Sequence, residues 1–417
     1  MTTGRRRRPS FGRREVVILA VALLVLAAGV AVAVTFMLKA RQVGTIGNST
    51  SPSASAATAS TAASAAASPS PANTSLTLES IFDKQPDLGG IDQKRVVTMI
   101  ATGDVIPGRR VNGHMVAMND FLWPFKPTHD YLHSADFVFI NLESPLVPGC
   151  AVNNGHTTTF CGDPRFIDGL TYAGVSVVNL SNNHISNAGG AGVTSTEKLL
   201  SDHGIQYTGL GFTPTITVKG VKFGFVGFNG VTGGAGVDKA ELKREIQLLR
   251  PTVDVVIAQF HWGAEYKLVP QAAAGVAPDD PRDIGHAAID DGADLVIGNH
   301  PHTVEGVEIY KGHLITYAHG NYVFDQDAPW WVPDPGQPDA ADGVLGKYTF
   351  VDGKLAAVKY SPIRTYTDGQ PRFLTGSTQA YGDYVMSLMK LSSQIIAGQA
   401  PPQPVPSPTV PRPPSGN

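Results

Sequence analysis

Between residues 95 and 372, short runs of Val, Ile, Phe and Leu alternate with polar loops and helix-like stretches. The runs at 96–101, 136–140, 175–180, 221–227, 253–260, 294–297 and 313–317 are nearly continuous in apolar residues, as in strands covered on both faces. Residues 194–203, 239–250 and 281–291 read as helices between or beside those runs. This alternation predicts an α/β domain over 95–372. The segment 373–398 is apolar enough around 381–397 to predict one more helix packing on that domain.

The ends read differently. Residues 16–38 form a 23-residue uncharged stretch, long enough to span a bilayer. Arg5, Arg6, Arg7, Arg8, Arg13 and Arg14 precede it, and only Lys39 and Arg41 follow closely. The expectation is a cytoplasmic basic tail (1–15), a single transmembrane anchor (16–38) in the cell membrane and an extracytoplasmic main domain. A cleaved signal peptide is the competing reading. The apolar run exceeds a normal signal core, and no sharp small-residue cleavage site follows it. Residues 39–94 are mainly a Ser/Thr/Ala/Pro-rich disordered linker, and 399–417 a Pro-rich disordered tail.

Composition narrows the classes. The chain has 417 residues, of which 42% are hydrophobic and 16% charged, which excludes both a disordered protein and a multi-span membrane protein. Net charge is −3, and the one strongly basic stretch is the N-terminal one, so no nucleic-acid partner is expected. Two cysteines exclude a disulfide-rich scaffold and a CxxC zinc finger. Outside the membrane oxidation is permitted, so Cys150 and Cys161 are expected to pair in the loop after Glu143.

Chemistry sits where the apolar runs stop. They end at Asp104, at Glu143, at Asn183-His184, at His261 and at His300-Pro301-His302. In an open α/β sheet the carboxyl ends of the strands line the ligand crevice. Carboxylate, amide oxygen and imidazole delivered there are donors for a divalent cation. Each element alone is weak, because Asp favours turns and Asn-Asn-His also reads as a helix cap. Their joint recurrence predicts one shared polar site. No Walker loop, Rossmann glycine series or nucleophilic Ser or Cys stands out.

Six ordered motifs carry a resemblance. Gly-Asp104-Val-Ile-Pro-Gly-Arg109, Asn141-Leu142-Glu143, Ser-Asn182-Asn183-His184, His261-Trp262-Gly263-Ala-Glu265-Tyr266, Gly-Asn-His300-Pro301-His302 and Gly320-Asn321-Tyr322-Val323-Phe324-Asp325-Gln326 resemble the motif series of the CapA/PgsA capsule-synthesis family. That family is associated with synthesis or export of poly-γ-glutamate capsule at the bacterial surface. Its domain is similar to the calcineurin-like metallophosphoesterases, which implies a two-sheet αββα sandwich here. The resemblance also implies metal ligation by Asp104, Glu143, Asn183, His261, His300 and His302, with Glu143 bridging. His184 takes a general-acid position, and Arg109 binds a phosphate or carboxylate. Glu265 and Asn321 act as groups behind the ligands or toward substrate. The implied cofactor is a divalent ion such as Mn, Fe, Zn or Mg.

Departures temper this. Ile106 stands where metallophosphatases carry a His, and Glu143 where they usually carry Asp. Asn187 replaces a common Asp, and His319, where an apolar residue is common, reads as a solvated loop residue. Trp330-Trp331 reads as an ordinary packed or surface pair. Three functions stand side by side. One is a membrane-anchored component of polyanionic capsule synthesis or export, working with the polymer and other synthase subunits. The others are a cell-surface metal-dependent phosphoesterase or hydrolase, and a non-catalytic polymer-binding scaffold.

Overall fold

The computed structural model describes residues 76–151, 157–326, 336–366 and 368–399. Its first strands are β1 (Val96–Val105), β2 (Phe137–Leu142), β3 (Val175–Asn179) and β4 (Gln206–Thr208). Next come β5 (Thr215–Val218), β6 (Val221–Asn229), β7 (Val255–His261), β8 (Leu295–Asn299), β9 (Val307–Tyr310) and β10 (His313–Thr316). The last are β11 (Asn321–Val323), β12 (Asp342–Val351), β13 (Lys354–Thr365) and β14 (Pro371–Phe373). They form two sheets. One has the order β14-β13-β12-β1-β2-β3-β4 with β11 also paired to β1, the other β5-β6-β7-β8-β10-β9. β1 to β4 run parallel, as do β6 to β8, while β12, β13 and β14 are antiparallel additions.

The apolar runs divide by parity. Val97, Met99, Phe137, Phe139 and Val177 face Phe223, Phe225, Val255, Ile257, Leu295 and Ile297 in one core between the sheets. Rings meet across it, Phe137 on Phe223 at 5.1 Å and Phe139 on Phe225 at 5.0 Å. The alternate residues face outward onto helices. Ile100, Val138, Ile140 and Val178 pack with Val111, Met115, Phe166, Leu170 and Leu200, from helices Arg109–Met118, Phe166–Tyr172 and Gly189–Asp202. Val226, Val256, Ala258 and Val296 pack with Leu242, Ile246, Ile284 and Ala288, from helices Lys239–Leu249 and Pro281–Asp291. Side chains alternating between two covered faces explain why these strands read as continuous apolar runs. The expected mixed α/β, two-sheet architecture is therefore present.

The hairpin β12–β13 was not among the expected strands. Its signal was the turn Asp352-Gly353, both at positive φ (49° and 75°), a two-residue connection matched to strand twist. Lys347, Lys359 and Ser361 broke up the apolar pattern that marks the other strands. The last helix, Gln379–Ile396, buries Tyr381, Val385 and Met389 in the inter-sheet core, and Ser392 and Ser393 hydroxyls accept from the N–H groups of Gly306 and Val307 at 2.8 Å.

The single-pass membrane localisation with an extracytoplasmic main domain is corrected. Among the described residues, no helix is long and apolar enough to cross a membrane. The longest of them, Gln379–Ile396, has 18 residues, carries Asp383 and Lys390, and spends its apolar face on the core. The stretch 16–38, positions 39–75 of the linker, positions 400–417 of the tail and Trp330-Trp331 lie outside the described residues, whereas 76–94 of the expected linker are described and include a helix, Leu78–Phe82, whose Ile81 packs in the inter-sheet core. His319 is not a solvated loop residue: it is buried, with Nε2 2.9 Å from the Tyr348 hydroxyl, and burial pushes its pKa down to about 4.

Glu305 is fully buried, and neither carboxylate oxygen has a hydrogen-bond partner. Burial with nothing to offset it pushes this carboxyl well above the usual carboxylate range. The folded chain therefore holds a proton that the unfolded chain releases above about pH 4.5, and stability falls as pH rises. Glu305→Gln should remove that slope. Urea melts from pH 5 to 8 should show the variant gaining on wild type as pH rises. A constant difference would mean that Glu305 has an unseen partner.

Candidate metal centre

Two rows of residues close the inter-sheet space at the carboxyl ends of the strands. Neighbours in register on the first sheet are Asn321, Asp104, Asn141, Asn179 and Thr208, all buried. On the second sheet they are Asn229, His261 and Asn299. The parity that sends Phe137 and Phe139 inward sends Asn141 inward too, and Val255 and Ile257 lead likewise to His261. Asp104 would be out of phase but for a slip in β1. Ala101 pairs with Phe139 and Asp104 with Asn141, so β1 spends three residues where β2 spends two. Gly103 lies in the slip, where a Cβ would stand 2.1 Å from the Gly320 carbonyl oxygen. No other residue type fits so close a backbone approach.

Two overlapping donor sets form within this space. Asp104, Glu143 and His261 offer ligand atoms within 4.8 Å of one another, and so do Glu143, His300 and His302. All five residues are buried, and Glu143 is common to both sets. Glu143 Oε1 lies 3.1 Å from His261 Nε2, yet neither Glu143 oxygen receives a hydrogen bond. Asn183 Oδ1 is 2.8 Å from the same His261 nitrogen. His300 and His302 flank Pro301 with φ of 97° and 56°, a left-handed backbone that side chains rarely adopt. The His300 main-chain N–H donates to Asp104 Oδ2 at 3.2 Å, and His302 Nδ1 lies 3.3 Å from the same oxygen.

The electrostatics follow from packing these charges out of water. Burial pushes Asp104 up, but His302, His261 and Asn141 hold it below the usual carboxylate range. Burial pushes His302 down, and hydrogen bonding to Asp104 with the charges of Glu143, Asp104 and Glu265 lifts it to about 10. Burial and the three neighbouring histidines drive His300 well down. One imidazolium thus stands among the carboxylates when no cation does.

The remaining expected residues are placed as follows. Asn321 lies behind His302, its Oδ1 2.9 Å from Nδ1, while its Nδ2 donates to the Ala340 carbonyl at 2.7 Å. Glu265 is at the rim, with a side chain 43% exposed and Oε1 3.8 Å from His300 Nε2. His184 points Nε2 at Glu143 Oε1 from 3.8 Å, and its ring packs on Phe160 at 4.3 Å. Its Nδ1 is 3.0 Å from Asn187 Oδ1, which also accepts the Phe160 N–H at 2.7 Å. That oxygen is fixed as an acceptor, so His184 carries its proton on Nδ1. Burial, opposed by Glu143 and Asn187, lowers the His184 pKa. Arg109 spends its guanidinium on Asp325 and on the Thr157 carbonyl, stacked over Phe160 and Phe324. Cys150 and Cys161 are joined in a disulfide with Cα atoms 5.7 Å apart, next to Phe160.

In the sequence Asn141, Asn182 and Asp325 stand out only as parts of motifs. Their signal was position: Asn141 continues the inward phase of β2, and Asp325 closes a motif whose partner is Arg109.

A buried carboxylate without hydrogen bonds costs the metal-free fold. Glu143→Gln should therefore raise the stability of the chelator-treated chain by about 1–3 kcal/mol in denaturant melts, while abolishing stabilisation by added Mn2+ or Zn2+. A Glu143→Gln chain less stable than wild type, both metal-free, would show that the carboxylate is already satisfied.

Residues 98–326 match the family described as bacterial capsule synthesis protein PGA_cap. The chain is 27% identical over 309 residues to the capsule biosynthesis protein CapA of Bacillus anthracis, covering 67% of this chain and 70% of that protein. It is 31% identical over 254 residues to the PGA biosynthesis protein CapA of Bacillus subtilis, covering 55% of this chain and 64% of that protein. Among solved structures, a putative 5'-nucleotidase from Staphylococcus aureus is similar at a TM-score of 0.40 and 10% identity, over 71% of this chain and 58% of that one. That structural likeness is too slight to bear on function. The matched segment takes in more than half of the chain and contains every candidate ligand, from Asp104 to His302: the chain belongs to the CapA/PgsA-type bacterial capsule synthesis family.

Proposed function

We propose that this chain works in the biosynthesis or export of a poly-γ-glutamate-type capsule polymer, alongside other synthase subunits, and that its strand-end site holds divalent cations. Family membership and the relatives' described roles support the capsule reading. One observation carries the cation reading: Glu143 is fully buried, shared by two donor sets, and receives no hydrogen bond on either oxygen. A carboxylate left so calls for a positive partner.

The donors fit such a partner. Asp104, Glu143 and His261 would hold one ion, with Asn183 beside His261. Glu143, His300 and His302 would hold a second. Carboxylate with imidazole suits Mn, Fe or Zn, and Mg is the poorer match to so many nitrogens. A bound cation supplies Lewis-acid polarisation of a substrate oxygen and a water acidic enough to react near neutral pH. The chain's own residues do the rest. His184, with Nδ1–H fixed on Asn187 and a lowered pKa, presents an unprotonated Nε2 toward the site and takes up a proton there. Arg109 braces the loop bearing Phe160 against Asp325 and binds substrate only by releasing that carboxylate.

The phosphoesterase reading has less behind it. Ile106, at the position where metallophosphatases carry a ligating His, is buried with Phe160 and Phe324 and offers no donor.

Elemental analysis of the purified chain should find a bound transition metal, and chelation should lower its melting temperature. A metal-free chain indifferent to chelation and to added Mn2+ or Zn2+ would remove the cation reading. In the producing bacterium, deletion should abolish surface polymer. Wild type should restore it and Asp104→Ala should not. Restoration by that variant would support a scaffold without a working site.

A further inference from the structure

We infer that Asn141 is a positioning residue that sets the tautomer of His261 and the plane of the Asp104 carboxylate. This deepens the metal-centre reading and rests on it. Asn141 is completely buried, and all four of its amide's hydrogen-bonding directions are in use. Its Nδ2 donates to Asp104 Oδ1 at 2.8 Å and stands 3.3 Å from His261 Nδ1. Its Oδ1 accepts from Asn179 Nδ2 at 2.9 Å and from Asn182 Nδ2 at 3.3 Å.

The direction of this relay is imposed by the main chain. Asn182 Oδ1 accepts the N–H groups of Ile185 at 2.9 Å and His184 at 3.3 Å, and Asn179 Oδ1 accepts the Ser181 N–H at 3.2 Å. Main-chain N–H groups only donate, so these two oxygens cannot exchange places with their nitrogens. Asn182 Nδ2 also donates to the Leu142 carbonyl at 2.9 Å, which only accepts. Both NH2 groups are therefore turned to Asn141, which must meet them with its oxygen and turn its own NH2 toward Asp104 and His261.

The consequence reaches the ligands. An NH2 group at His261 Nδ1 requires that nitrogen to be the acceptor. The His261 proton then sits on Nε2, facing Asn183 Oδ1 at 2.8 Å and Glu143 Oε1 at 3.1 Å, both acceptors. Both ends of the ring agree on the same tautomer. In the metal-free chain His261 Nε2–H is thus a donor to Asn183 Oδ1, with Glu143 Oε1 close by but not hydrogen-bonded. For Nε2 to ligate a cation, the proton must leave that nitrogen. Transfer to Nδ1 is opposed by the Asn141 NH2, so the relay favours the tautomer that keeps Nε2 protonated.

The test uses the full-length chain labelled with 15N-histidine and freed of metal by chelation. Long-range 1H–15N spectra should give His261 the Nε2–H tautomer, assigned by the peak missing in His261→Gln. In Asn141→Asp, which presents only acceptor oxygens to Nδ1, the His261 proton should move to Nδ1. A wild-type Nδ1–H tautomer, or an Nε2–H tautomer that persists in a folded Asn141→Asp chain, would overturn the inference. If the wild-type chain binds no Mn2+ while the tautomers behave as stated, the metal-centre reading fails and the relay stands.

Discussion

The constraint behind the whole site is that carboxylates and imidazoles occupy a space sealed from water by two sheets. Asp104, Glu143, His261, His300 and His302 are all buried. Charges so placed are tolerated only when they neutralise one another or bind a counter-ion. Asp104 is matched by His302 and by amide and main-chain donors. Glu143 is matched by nothing that hydrogen-bonds it. That asymmetry between two buried carboxylates is what gives the site its chemical direction.

The fold creates the space where the inward-facing apolar residues give way to polar ones. Along β2 the inward positions are Phe137, Phe139 and then Asn141, and along β7 they are Val255, Ile257, Gln259 and His261. The inter-sheet core is therefore apolar through most of its length and polar at the carboxyl end of the parallel strands, where the loops also leave. Rigid strands on both sides hold the donors, and the strained His300-Pro301-His302 turn brings two imidazoles in at once. Backbone kept in so unfavourable a region must be held by its surroundings, here Asp104 and the Tyr266 N–H on the Pro301 carbonyl at 2.9 Å.

The departures from the metallophosphatase pattern at Ile106 and from the CapA pattern at Asn187 also acquire physical content. Ile106 makes apolar contacts instead of supplying a donor. Asn187 keeps the acceptor that orients His184 but brings no charge to stabilise an imidazolium, consistent with a histidine whose pKa burial lowers. Phe160 touches His184, Arg109 and Phe324, and its neighbour Cys161 is tied to Cys150. The loop after Glu143 thus serves as one wall of the site.

The sequence by itself determined the strand–helix alternation, the residue types that end each central strand and the membership those motifs imply. These were legible because a strand covered on both faces is apolar at every position, and a polar residue ending such a run stands out. The hairpin β12–β13, the burial of His319 and the pairing of Arg109 with Asp325 were not legible, since each depends on contacts between distant segments. Asp104 was expected at the site, but the one-residue slip at Gly103 that turns it inward was not legible, because it accompanies the close approach of Gly320. Which donors come within reach of one another, and which amides stand behind them, are likewise decisions of the tertiary structure: local sequence sets what each strand end offers, and only the packing of two sheets sets what it meets.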